Sequence, residues 1–135
     1  MSLQEFLNQN AIDNLTAEVP ISKRFKDKAG NIMKFTIKAM TDAEFEDYRK
    51  QSMSLKKGGK FEMNLRTFNT KIVIGNTINP NFKDAASIKA LGCITSEQYL
   101  SKVLLSGEIA ELSKQIQALS GFDTDIEDLK EEVKN

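Results

Sequence analysis

The 135-residue chain has no histidine and no tryptophan, a single cysteine, Cys93, and two prolines. Without histidine there can be no Ser-His or Cys-His nucleophile pair and no imidazole metal site. One cysteine excludes an internal disulfide and fits a reducing compartment. Long apolar runs are also missing. The longest aliphatic stretches, Ile72–Ile74 and Val103–Leu105, are far short of the roughly 20 residues that cross a bilayer. Met1–Asn10 has neither a basic residue nor an apolar run, which argues against a signal peptide. Net charge is absent too: 19 Lys and Arg balance 19 Asp and Glu. Nothing in the overall charge favours nucleic acid or a membrane surface.

What is present is ordinary globular material, 40% hydrophobic and 28% charged, enough for one domain with one core. The charge is unevenly spread. Residues 21–60 carry eleven bases against five acids, whereas residues 61–135 carry eight bases against eleven acids.

The hydropathy pattern predicts an α+β fold, an N-terminal β-hairpin packed on a predominantly helical body with an amphipathic, acidic C-terminal helix. Residues 1–18 read as a flexible arm, 19–40 as the hairpin, 41–121 as the helical body and 122–135 as the terminal helix. In the arm, Ser2 and Glu5 fit a capping box, and Leu3, Phe6 and Leu7 share one side of a helix too short to stand alone. Val19–Lys26 and Ile32–Met40 form the expected strands. Val19, Ile21 and Phe25 lie on one face, and Met33, Phe35 and Ile37 alternate with Lys34, Thr36 and Lys38. Asp27-Lys28-Ala29-Gly30-Asn31 supplies the turn.

Further along, Thr41-Asp42-Ala43-Glu44 and Thr95-Ser96-Glu97-Gln98 are capping-box starts. Phe61, Leu65, Phe68 and Ile72 step 4, 3, 4 and predict one helix ended by Asn79-Pro80. Lys56-Lys57-Gly58-Gly59-Lys60 reads as a flexible basic loop. Asp84 to Leu91 reads as a short helix stopped by Gly92, with Cys93 beyond it as a buried structural thiol. Leu105, Ile109, Leu112, Ile116 and Leu119 make a heptad-like stripe that Ser120-Gly121 interrupts. Phe122, Ile126, Leu129 and Val133 repeat the 4, 3, 4 spacing, with Asp123, Asp125, Glu127, Asp128, Glu131 and Glu132 on the other faces.

Chemistry is hard to place on this pattern. Ser54-Leu55-Lys56-Lys57 matches Ser-x-x-Lys but has no companion motif, and Gly58-Gly59-Lys60 lacks phosphate-loop spacing. Asp128 stands where a calcium loop starting at Asp123 needs glycine. No catalytic, cofactor or metal site is therefore assigned. The strand cations Arg24, Lys26, Lys34 and Lys38, with Lys56, Lys57 and Lys60 nearby, are the one hint of nucleic acid, but no exposed aromatics interleave with them. The reading that remains is a non-enzymatic protein that docks on other proteins.

Several blocks carry a resemblance. Ser22-Lys23-Arg24-Phe25-Lys26-Asp27, Gly30-Asn31, Lys34-Phe35 and Ile37-Lys38 resemble the N-terminal hairpin of XkdN-like phage tail assembly chaperones, which belong to PBSX-like contractile tails and related prophage elements. Met1-Ser2-Leu3-Gln4-Glu5-Phe6-Leu7, Asn79-Pro80-Asn81-Phe82-Lys83-Asp84-Ala85, Leu104-Leu105-Ser106-Gly107-Glu108, Gly121-Phe122-Asp123 and Glu131-Glu132-Val133-Lys134-Asn135 are similar as well, in the same order. The resemblance implies a chaperone in the bacterial cytoplasm, not expected in the mature tail. Such a chaperone binds the tape measure protein, keeps it soluble until tube subunits assemble around it, and could also touch tube subunits or a second copy of itself. The candidate partner-binding residues are Leu3, Phe6, Leu7, Phe122, Ile126, Leu129 and Val133. Whether the last four dock on the chain's own body or on the client stays open. A structural tail component and a small nucleic-acid-binding regulator are the alternative functions.

Overall fold

The structure, a computed structural model, describes residues 1–12 and 15–122. It is α+β, as the pattern predicts. In chain order come α1 (Leu3–Gln9), β1 (Thr16–Val19), β2 (Phe35–Lys38), α2 (Asp42–Ser52), β3 (Met53–Leu55), β4 (Phe61–Met63), α3 (Leu65–Asn76), β5 (Thr77–Asn79), α4 (Ala85–Ala90), α5 (Ser96–Val103) and α6 (Ser106–Gln117). A π-helical turn, Ala118–Phe122, extends α6. The expected terminal helix lies outside the described residues, apart from Phe122.

The hairpin forms with its first strand earlier than expected. β1 pairs antiparallel with β2, with Thr16 opposite Lys38 and Val19 opposite Phe35. The segment between them folds into its own tip: Lys26 bridges Ile32, and the Met33 amide donates to the Phe25 carbonyl at 2.7 Å. Asp27 makes the turn, its Oδ1 accepting from the amides of Ala29 and Asn31, both at 2.9 Å, with Gly30 at φ 87°. Along β2, Phe35 and Ile37 are buried and Thr36 and Lys38 half-buried, the alternation that one covered face demands. Met33 does not share that face; it precedes the strand and is exposed.

Two elements depart further from the pattern. β5 adds a third strand beside β2, giving the order β1-β2-β5. The residues expected to finish a helix before Pro80 instead leave α3 and pair with Thr36 and Ile37. Phe61 is not on α3 either. It lies in β4, which pairs with β3 around the Lys56–Lys60 turn, so the basic loop is the tip of a second hairpin. Helix α3 starts only after Asn64, whose side chain accepts from the Thr67 amide.

Helix starts follow the sequence closely. Thr41 and Glu44 exchange side-chain and backbone hydrogen bonds across the first turn of α2, and Thr95 and Gln98 do the same for α5. Ser2 accepts from the Glu5 amide. Gly92, at φ 71°, follows the end of α4. Leu112 and Ile116 of the heptad stripe are buried, Ile109 and Leu119 half-buried. Leu105 is exposed at the N-cap of α6, and Leu104 takes its place in the core. The core gathers Phe35 and Ile37 of β2, with Met40 just beyond it, against Phe68, Ile72 and Val73 of α3 and Leu112 and Ile116 of α6. Phe82 and Leu100 close it.

Candidate docking surface

Apolar side chains left outside that core define the surface. Helix α1 buries none of its residues: Leu3 is 74%, Phe6 50% and Leu7 56% exposed. Leaving three large apolar groups in water forgoes roughly 1.5–3 kcal/mol for each. Phe122 is 59% exposed at the opposite end of the described chain. Its ring lies 5.0 Å from that of Phe45 on α2, which in turn meets Phe68 edge-on at 5.6 Å. Phe122 is thus an outer continuation of an aromatic row that begins in the core.

Residues from both flanks of the described domain meet here. Ile12, beyond α1, and Phe122 line one groove of about 270 Å³ with Met40, Thr41, Phe45 and Ser120. The Met40 amide donates to Ser120 Oγ at 2.9 Å, fixing the end of β2 to the turn that follows α6. Of the seven residues expected to bind a partner, the structure places Leu3, Phe6 and Leu7 on α1 and Phe122 at this groove. Ile126, Leu129 and Val133 lie outside the described residues.

Sequence reasoning missed a second apolar face. On the β3–β4 hairpin, Met53 opposes Met63 and Leu55 opposes Phe61, which places the four on one side of a two-stranded sheet. Leu55 and Phe61 are both exposed. The signal was the alternation of Met53 and Leu55, then Phe61 and Met63, around a Lys-Gly-Gly-Lys turn. The helical spacing of Phe61 with Leu65 and Phe68 concealed it.

The cationic face is not the free strip the sequence suggested. Arg24 turns inward, donating from Nε to Glu108 Oε2 at 3.0 Å and from Nη2 to Oε1 at 2.7 Å. The guanidinium also lies 4.6 Å over the Phe25 ring. Lys38 meets Glu44 at 3.6 Å and Lys56 meets Glu62 at 3.7 Å. Three of the seven cations, Arg24, Lys38 and Lys56, thus already face carboxylates, which weakens the row as a phosphate-binding array. Cys93 is partly exposed rather than buried, beside a shallow groove along α5. Among the described residues no group of three or more Cys, Asp or Glu side chains could hold a metal ion. No helix among them is long and apolar enough to cross a membrane.

The described residues form a small α+β domain with exposed apolar side chains on α1, at Phe122 and on the β3–β4 hairpin. The chain belongs to the family of phage XkdN-like tail assembly chaperones, which it matches over residues 3–134. The role of that family is non-catalytic. The chain is 33% identical to the uncharacterized protein YqbN of Bacillus subtilis, over 98% of its own length and 93% of that protein's. It is 31% identical, over the same shares, to the phage-like element PBSX protein XkdN of the same organism. The crystal structure of YqbN superposes with a TM-score of 0.69 at 30% identity, covering 91% of this chain and 98% of that one.

Proposed function

We propose that this chain binds the tape measure protein of a phage tail, holds it soluble in the host cytoplasm until tube subunits assemble around it, and is absent from the finished tail. Membership of the tail assembly chaperone family supports this reading. The observation that carries it is α1, an amphipathic helix with no buried residue. Two turns of helix are unstable alone in water. A chain that keeps Leu3, Phe6 and Leu7 on such a helix gains from them only when a partner covers them. A long helical client offers complementary apolar stripes, and helix-in-groove docking needs no chemistry beyond burial. Phe122, with Ile126, Leu129 and Val133, supplies the second set of anchors.

Co-expression with the tape measure protein tests the proposal. The wild-type chain is expected to keep the client in the soluble fraction and to co-purify with it. Purified tails are expected to lack the chain. A variant carrying Leu3→Ser, Phe6→Ser and Leu7→Ser should fold with an unchanged melting temperature yet lose the client to the pellet. If that folded variant solubilises the client as well as wild type, α1 is not the docking element. A fixed copy number in purified tails would make the chain a structural component instead.

A further inference from the structure

Helices α3 and α6 lie side by side, and Ser113 Oγ on α6 donates to Asn69 Oδ1 on α3 at 2.8 Å. The outer surface between them carries two adjoining grooves, of about 300 and about 390 Å³. Asn69 and Ala110 line both, so together they form one trough. Ser106, Ala110, Lys114 and Ala118 follow one another along α6 at four-residue spacing, on one face of the helix. From Ser106 to Ala118 that face is about 18 Å long, the length of a helix of about 12 residues. Ala110 and Ala118 present only methyl groups, which lets another backbone approach closely.

The trough is apolar at its ends and cationic along its sides. Leu65, 64% exposed, stands at one end with the half-buried Ile109, and Phe122 stands at the other. Arg66 on α3 and Lys114 on α6 line it, and among the described residues no acid does. Neither cation has a carboxylate partner among those residues. Of the acids on α6, Glu108 is held by Arg24, and Glu111 accepts from Gln115 Nε2 at 2.9 Å; neither lines the trough. A further cation, Lys71, lines the adjoining hollow that Arg66 shares, against one acid among the described residues, Glu97. An apolar trough whose lining charges are positive repels a basic segment and favours an acidic one.

We infer that this trough takes an acidic, amphipathic helix of the client, laid between α3 and α6 with its apolar stripe on Leu65, Ile109 and Ala110 and its carboxylates beside Arg66 and Lys114. The inference rests on the client-binding reading above and adds a surface and a client chemistry that the reading leaves open. Helix-in-groove docking anchors a helix at i, i+3 or i+4, and i+7. Those anchors span about 10 Å, which the trough accommodates with a turn to spare. The two cations act on the choice of segment and on the rate of encounter more than on raw affinity. Among the apolar stripes of a long helical client they select one flanked by acids and turn away one flanked by lysines. Helix α1 carries Glu5 and no base, so the preference for acids belongs to the trough and not to α1.

Two fluorescent peptides of about 12 residues, the helix length that matches the trough, test it on the full-length chain. Both carry leucines at i, i+3 and i+7, and the flanking positions are glutamates in one and lysines in the other. In anisotropy titrations the wild-type chain is expected to bind the glutamate peptide several-fold more tightly than the lysine peptide. The difference should shrink at 1 M salt, where charge is screened within about 3 Å. Arg66→Glu with Lys114→Glu should reverse the preference. Ala110→Trp, at an exposed position, should fill the trough and abolish binding without lowering the melting temperature. In co-expression the Ala110→Trp chain should lose the client to the pellet. Equal binding of the two peptides, binding of neither, or undiminished binding by Ala110→Trp would overturn the inference. So would an Ala110→Trp chain that refuses the peptide yet keeps the client soluble, because the client would then dock elsewhere. A wild-type chain that leaves the tape measure protein insoluble would overturn the client-binding reading itself, a failure that the peptide titrations tell apart from failure of the trough.

Discussion

Arg24 and Glu108, 84 positions apart, form a two-pronged ion pair at 2.7 and 3.0 Å that ties the hairpin loop to the first turn of α6. Glu108 is only 6% exposed, and its Oε1 also accepts from the Leu105 amide at 2.8 Å. Arg24 Nη2 reaches the Val103 carbonyl at 2.8 Å, so one guanidinium joins the end of α5 to the start of α6. Hydrogen bonding from Arg24, opposed by burial and aided by the Leu105 amide, holds the Glu108 carboxyl down at about 2.

That depression gives the pair a pH signature. The unfolded chain takes up the Glu108 proton near pH 4.5, whereas the folded chain resists until about 2. In that window the unfolded state binds more protons, so stability falls as pH falls. The contribution is fully present above about 4.5 and gone once pH drops through about 2. Thermal melts of wild type and Glu108→Gln from pH 7 to pH 2 should show the variant less stable at neutrality. The gap should narrow steadily below pH 4.5. A gap that stays constant across that range would mean Glu108 does not carry the linkage.

A second prediction concerns the sheet. Phe35 is buried and meets Phe25 edge-on with ring centroids 5.0 Å apart. Phe35→Ala should cost about 3–5 kcal/mol. Phe25 is only partly covered, so Phe25→Ala should cost less. Lys34→Ala should stay within roughly ±0.5 kcal/mol, and so should Lys38→Ala, since the Lys38–Glu44 pair is solvent-screened. Denaturant titration of the four variants checks the order. Equal sensitivity at Phe35 and Lys34 would mean the strand register is wrong by one residue.

What could be read from the sequence depended on how local the determining contacts were. Thr41–Glu44 and Thr95–Gln98 act within one turn, and their spacing alone located α2 and α5. Phe35 and Ile37 announced their face by alternation. The errors arose where a short element competed with a longer pattern. Phe61 continues the helical spacing of Leu65, Phe68 and Ile72, but Gly58 and Gly59, both at positive φ, turn the chain and put Phe61 opposite Leu55. Thr77–Asn79 is too short to show a period, and only its pairing with β2 makes it a strand. No local pattern could reveal that Arg24 would leave the cationic row, because its partner lies at the other end of the chain. The spacing of Leu3, Phe6 and Leu7 placed the three on one side of α1, whose residues are all exposed, whereas the meeting of Ile12 with Phe122 is a product of the fold.

Tyr48 and Gly75 supply a third prediction. A Cβ on Gly75 would overlap the Tyr48 hydroxyl, which accepts a hydrogen bond from Asn76 Nδ2 at 3.2 Å. Gly75→Ala therefore forces the ring aside, at about 1–3 kcal/mol for overpacking, partly offset by up to about 1 kcal/mol of helix propensity. Tyr48→Phe removes the obstructing oxygen. The double variant should be more stable than the two single effects predict, an interaction readable in a double-mutant cycle. Strict additivity would show that the two residues do not meet.

The last prediction concerns the terminal segment. Among the described residues the buried core runs from Phe35 to Ile116. A chain ending at Phe122 should unfold cooperatively. In co-expression, the same truncation should reduce the amount of client kept soluble, because four of its seven proposed anchors are then reduced to Phe122. Global unfolding of the truncated chain would make the segment part of the core. Unchanged stability with full client solubility would make it a passive tail, leaving docking to Leu3, Phe6 and Leu7.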